Sequence, residues 1–169
     1  MKKLILLITA ATVSFSCEEK ATIEFEDPKS QAVLGIFEAY MANDMQGIAD
    51  VYAEDAYVFS NSTDSIPIAE NLTLVASHHE IFENIECVWG DGGRSAWVET
   101  VTYPGFGKVS KAWFTWKGTG KASGDTIEVP THISYFWGYE DKIQRSYLRN
   151  DTSAMAKEVE LAQSMVAQE

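Results

Sequence analysis

Three residues near the carboxyl end carry side chains suited to acid–base work in a shielded pocket: His132, Arg145 and Tyr147. An imidazole titrates closest to neutrality, a phenol can donate to a developing oxyanion, and a guanidinium can orient a polar group of a ligand. If residues 138–141 form a hairpin loop, Trp137 lies opposite Lys142, Phe136 opposite Ile143, Ser134 opposite Arg145 and His132 opposite Tyr147. All but the first pair then share one face. Pairing Lys117 with Thr126 adds Trp113 to that face, beside Pro130. The opposite face shows Ile133, Tyr135, Trp137 and Leu148. A mixed face suits a pocket lining, whereas a largely apolar face suits packing against a partner or a helix. His132 with Tyr147 is the candidate catalytic pair, and Arg145, Trp113 and His79 are candidate ligand contacts. The competing reading is an aromatic core in which Arg145 answers a surface carboxylate.

The elements that must position these residues follow from the hydrophobic period. Asp27 with Pro28 marks a helix start, after which Val33, Ile36, Phe37 and Tyr40 fall on one face. A shorter helix follows Asp44, with Ile48, Val51 and Tyr52 as its stripe, and 56–59 reads as a strand. A third helix starts near Ser65 and Pro67. Ile68, Leu72, Val75, His79 and Phe82 make one stripe along it, and Leu74, His78, Ile81 and Ile85 make its neighbour. Each histidine therefore sits among apolar residues, placed either as a hydrogen-bonded core-edge group or as a ligand contact. From Ile85 the period changes to two, and strands are expected over 85–89, 95–103, 108–117, 126–137 and 142–148. Pro130 implies a bulge or an edge position. Residues 151–167 have the composition of a terminal helix.

Composition limits the function classes. The 169 residues, 46% hydrophobic and 12% aromatic, suffice for one core. A net charge of −12 repels phosphate backbones and anionic headgroups, which argues against nucleic acid as a partner. With three His and no Cys pair there is no zinc-ligand spacing, and no metal or cofactor is implied. Cys87 between Ile85 and Trp89 reads as a small core residue.

The amino terminus reads as an export signal over residues 1–16: Lys2 and Lys3, then an apolar run from Leu4 to Val13 too short to span a bilayer. The run Ser14-Phe15-Ser16-Cys17 resembles the lipobox of bacterial lipoproteins, although Leu is more usual at the position of Ser14. The resemblance implies lipidation at Cys17, a tether over 17–26, and a membrane-anchored location in a bacterial cell envelope, periplasmic or surface. Membrane contact is expected through that anchor only.

The order of three helices followed by long strands resembles the SnoaL-like group of the NTF2-like superfamily over about residues 27–151, with a C-terminal helix over 152–169. The resemblance is carried by Phe37 and Tyr40, the Tyr52-Ala53-Glu54-Asp55-Ala56 run, the helix reaching Phe82, and Tyr139-Glu140-Asp141-Lys142-Ile143 leading to Asp151. It implies an α+β cone in which three N-terminal helices pack on a strongly curved, mainly antiparallel sheet. A pocket is implied between them, and a homodimer through the sheet's outer surface. Ketosteroid isomerase, SnoaL-type cyclases and limonene epoxide hydrolase share this fold. The epoxide hydrolases carry an Asp and an Arg late in the last strand, and Ile143 to Asn150 contains no acid. Three functions stay open: binding of a small, mostly apolar or aromatic molecule; acid–base catalysis by His132 as an isomerase, cyclase or dehydratase; and a non-catalytic interaction module.

Overall fold

The computed structural model describes residues 19–90 and 96–167, so the expected signal segment and Cys17 lie outside the described residues. Its architecture is α+β: eight strands in one sheet, with helices packed on the concave side. The first helix, α1 (Pro28–Met41), starts as its sequence dictates. Asp27 has extended backbone and accepts from the Lys29 N–H at 2.8 Å, with Pro28 next in line. Val33, Ile36, Phe37 and Tyr40 are all buried, which is the predicted stripe. A short α2 (Met45–Ala49) is capped by Asp44, whose carboxylate accepts from the Gly47 N–H at 2.9 Å. The third helix, α3 (Ile68–Ile81), follows Pro67.

The strands are β1 (Thr22–Glu24), β2 (Tyr52–Ser60), β3 (Ile66–Pro67), β4 (Phe82–Val88), β5 (Trp97–Tyr103), β6 (Gly107–Gly120), β7 (Thr126–Trp137) and β8 (Ile143–Asn150). The sheet order is β1-β5-β6-β7-β8-β2-β3, with β4 also on β6. Every pair is antiparallel except β2 with β8. The 14-residue β6 is the spine. Its first half pairs with β5, its second half with β4, and β7 runs along its other edge. A fourth helix, α4 (Ser153–Val166), closes the chain.

Several boundaries depart from expectation: Tyr52, expected on the α2 stripe ahead of a 56–59 strand, opens β2, and β6 continues to Gly120 rather than ending at 117. Phe82, expected at the end of α3, is extended and opens β4, because the long β6 offers it a partner at Gly120. Residues 22–24, expected within the tether, pair with Val101 and its neighbours as an edge strand. Three residues are too short a run for alternation to be read. Pro130 holds a local edge position as expected: β8 ends opposite Thr131, so the start of β7 has only β6 beside it.

The β7–β8 hairpin decides which side chains share a face. Its 138–141 loop is present, closed by the Gly138 N–H donating to the Lys142 carbonyl at 2.8 Å. Trp137 pairs with Ile143, however, and Phe136 with Arg145, leaving Gln144 bulged. A Cβ on Gly138 would meet Gln144 Cγ at 2.1 Å, so any other residue there would force the Gln144 side chain to move. The observed partners are Ser134 with Tyr147 and His132 with Arg149, two residues from the predicted register. An even shift keeps His132, Ser134, Phe136, Arg145 and Tyr147 on one face, while the bulge sends Ile143 into the core, where it is fully buried.

Alpha1 is fixed to the sheet by polar groups as well as by its apolar stripe. Ser30, Thr100 and Ser110 form a buried hydroxyl chain, 2.8 and 2.7 Å per link, that ends on the Trp137 Nε1–H at 2.8 Å. Asp27, only 3% exposed, also accepts from Lys108. Burial pushes the Asp27 carboxyl up, but the hydrogen bonds from Lys108 and the Lys29 N–H, with the charges of both lysines, hold it below its ordinary value. A carboxylate with a depressed folded pKa stabilises the fold above its unfolded pKa of 3.8, and that stability is lost as pH falls through the folded value. Asp27→Asn should therefore cost about 2 kcal/mol at neutral pH and weaken the acid dependence below pH 3.8. Urea unfolding at a series of pH values measures both.

Candidate functional site

A cavity of about 300 Å³ lies between the concave face of the sheet and the helices. Alternation along the strands selects its floor: Phe114 and Trp116 from β6, Ile133 and Tyr135 from β7, Ser146 and Leu148 from β8, and Val58 from β2. Alpha1 contributes Phe37 and Tyr40, α3 contributes Leu72, Val75 and His78, and α4 contributes Met155. The lining residues Ser60, Leu74 and Thr152 are exposed, which puts the mouth between the end of β2, the middle of α3 and the start of α4. No Asp, Glu, Lys or Arg lines the cavity among the described residues. No three His, Cys, Asp or Glu residues cluster as a metal site among them either.

The polar groups inside are organised. Trp116 Nε1–H donates to Tyr40 Oη at 2.7 Å, and Tyr40 Oη lies 2.9 Å from His78 Nδ1. An indole can only donate, so the tyrosine oxygen accepts from Trp116 and its own hydrogen is free for His78 Nδ1. That ordering places the imidazole hydrogen on Nε2. Burial, helped by the neighbouring His79, pushes the His78 pKa down to about 4, so the ring is neutral at physiological pH. Burial also holds the Tyr40 hydroxyl far above its ordinary value, outweighing the Trp116 hydrogen bond. It raises Tyr52, which donates to Ser146 Oγ at 3.3 Å, to about 12. Cys87 is 2% exposed and its thiol is pushed up to about 12 by burial, which makes it a core residue and a poor nucleophile. At the mouth, Asn150 accepts from Asn61 at 2.7 Å, and its own amide lies 3.5 Å from Thr131 Oγ1.

The residues singled out from sequence lie elsewhere. His132, Arg145, Tyr147 and Trp113 do share a face, but it is the opposite, outer face of the sheet, and none of them lines the cavity. His132 stacks on Trp113, centroids 4.6 Å apart, and its Nδ1–H donates to the Ala112 carbonyl at 3.0 Å. Its Nε2 is 3.1 Å from Ser134 Oγ, so both ring nitrogens are engaged by the protein itself. The Arg145 guanidinium lies 4.7 Å from the centre of the Phe136 ring, and Tyr147 stacks flat on Phe59 at 4.5 Å. His79 turns from the cavity to the end of α1, where its Nε2–H donates to the Tyr40 carbonyl at 2.9 Å. The expectation that mixed composition marks the pocket is thus corrected. The apolar face of Ile133, Tyr135 and Leu148 lines it, because the helices that cover it exclude water. His78 was within reach of sequence reasoning: Leu72, Val75 and His78 recur at helical spacing on one side of α3, and all three line the cavity.

Solved structures with the same architecture fix the fold. They include PrhC from Penicillium brasilianum, at TM-score 0.64 and 10% identity over 82% of this chain and 90% of that one. IdmH from Streptomyces antibioticus, a candidate polyketide cyclase, matches at TM-score 0.59 and 14% identity over 78% and 98%. A protein of ketosteroid isomerase-like fold from Catenulispora acidiphila, in complex with trimethylamine, matches at 0.53 and 12% over 70% and 84%. The chain has the NTF2-like fold. No protein-family model matches the sequence, and a search of curated proteins finds no significant match. At these identities the likeness speaks for the NTF2-like fold alone, and the chemistry must be read from this chain's own cavity.

That chemistry has a pH signature. A histidine held neutral by burial favours the folded state above its unfolded pKa, and the advantage shrinks as pH falls from 6.5 toward about 4, where the unfolded chain takes up the proton first. The loss across this window should be about 2 to 3 kcal/mol. In His78→Leu it should largely disappear, as chemical unfolding between pH 7 and pH 4 would show.

Proposed function

We propose that this NTF2-like domain binds a small, neutral, mostly apolar molecule in the cavity between its helices and sheet. The observation that carries the reading is the lining: about 300 Å³ of space, open at one mouth, with no charged side chain among the described residues, in a protein of net charge −12. A charged guest would lose its hydration and meet no counter-charge there, at a cost of several kcal/mol. One structural neighbour was crystallised in complex with a small molecule, trimethylamine. Acid–base catalysis by His132 with Tyr147 is the less favoured reading, because both stand on the outer face and His132 is hydrogen-bonded on both nitrogens.

In the full reading the domain is held at a bacterial envelope membrane by lipid on Cys17, with a second copy covering the outer sheet face. That face supports pairing: Trp113, Phe136, Tyr147 and Phe59 are aromatic, only half-buried and contiguous across β6, β7, β8 and β2. Mass spectrometry of the chain from bacterial membranes should find acyl groups on Cys17 and none after Cys17→Ala. An unmodified Cys17 in membrane-extracted protein would remove the anchor from the account.

For binding, neutral aromatic and terpenoid-sized compounds should raise the melting temperature, and Val75→Trp should fill the cavity and abolish that shift without lowering the ligand-free melting temperature by more than a few degrees. His132→Ala should leave the shift unchanged. A thermal shift lost in His132→Ala but kept in Val75→Trp would move the site to the outer face.

A further inference from the structure

The cavity has a directed polar pole whose last hydrogen has no partner. The Tyr135 hydroxyl on the sheet floor and the Asn71 amide also line the cavity without a hydrogen bond among the described residues, but neither is oriented by a chain of donors as His78 is. The chain runs Trp116 Nε1–H to Tyr40 Oη–H to His78 Nδ1, 2.7 and 2.9 Å per step. Reversing it would leave the Tyr40 hydroxyl hydrogen without an acceptor, so the indole dictates which nitrogen of His78 carries its hydrogen. His78 Nε2 has no hydrogen bond among the described residues, yet no buried side-chain nitrogen or oxygen among them is left unsatisfied. The Nε2–H is therefore open to solvent or to a guest, on a side chain that lines the cavity. Phe82, Trp116 and Tyr40 pack edge-on around the ring and hold its direction.

We propose that His78 Nε2–H is the recognition donor of this site and that its ligands are neutral molecules carrying a carbonyl or comparable acceptor on an apolar frame. The proposal rests on the cavity being the ligand site and adds to it the functional group read there. Three features select that chemistry. The open atom is a donor, so it discriminates for an acceptor. The ring stays neutral down to about pH 4, so a carboxylate accepting from it would lose its hydration beside no counter-charge. The Tyr40 and Trp116 rings lie beside it, and the lining as a whole is mostly apolar, Phe37, Phe114 and Val75 among it, which suits a flat apolar body.

The test uses three probes of one shape: 2-acetylnaphthalene, 2-ethylnaphthalene and 2-naphthoate, titrated by calorimetry into the wild-type domain and into His78→Leu. A ketone costs more to desolvate than an ethyl group, so without a donor the ketone binds no better than the hydrocarbon. With the donor, wild type should bind 2-acetylnaphthalene about five- to tenfold tighter than 2-ethylnaphthalene and 2-naphthoate most weakly. His78→Leu should bind the ketone and the hydrocarbon alike. Equal binding of the two by wild type, a preference that survives in His78→Leu, or tightest binding of 2-naphthoate would overturn the proposal. Failure of all three probes would instead count against the cavity as a ligand site. If His78→Leu does not fold, ¹⁵N-imidazole spectra of wild type decide: the hydrogen should sit on Nε2, and 2-acetylnaphthalene but not 2-ethylnaphthalene should shift that resonance. A hydrogen on Nδ1, or equal shifts with both, would refute it.

Discussion

A β-strand sends successive side chains to opposite faces, and in β6, β7 and β8 that constraint separates two chemistries. Phe114, Trp116, Ile133, Tyr135 and Leu148 face the helices, and Trp113, His132, Phe136, Arg145 and Tyr147 face away. A change of register by one residue would exchange the two sets and destroy the cavity. The structure guards against it at the β7–β8 turn, where Gly138 makes room for the bulged Gln144 and Ile143 is locked into the core. The helices then complete the enclosure, because the stripe Val33, Ile36, Phe37, Tyr40 has no other surface against which to bury itself.

Within that enclosure the electrostatics run opposite to the surface. The protein is strongly acidic, but its charges lie outside the cavity, and the titratable groups inside are held in their neutral forms. Burial does this to Tyr40, Tyr52, Tyr135, Cys87 and His78 alike, raising the acids and lowering the base. The hydrogen bonds between Trp116, Tyr40 and His78 are what make such burial affordable, since each satisfies a group that water can no longer reach. The ion pairs lie outside the cavity: Asp27 with Lys108 and Lys29 with Asp141 join α1 to the sheet and to the β7–β8 turn, and Lys117 with Glu128 links β6 to β7.

Much of the fold was legible in the sequence for local reasons. Asp27-Pro28 and Asp44 are caps whose side chains act within three residues, and the α1 stripe repeats over several turns. The 126–137 strand was read with its bounds intact. The site was less legible, because composition was used to choose a face. His132, Arg145 and Tyr147 were grouped correctly by alternation, yet whether that group points toward the helices depends on the handed curvature of the whole sheet, which no local pattern encodes. The same limit separates the two adjacent histidines of α3. A rotation of about 100° per residue sends His78 to the cavity and His79 to the end of α1, and only the contacts with Trp116 and the Tyr40 carbonyl settle which is which.

The central claim is that the working surface of this NTF2-like fold is its uncharged interior. Xenon enters dry apolar cavities and ignores charged or hydrated ones, so crystals of the domain pressurised with xenon would test it most directly. The account predicts xenon density enclosed by Phe37, Val75, Phe114 and Ile133. An interior filled by side chains or ordered water, with xenon absent or bound only beside Trp113 and Phe136 on the outer face, would contradict it.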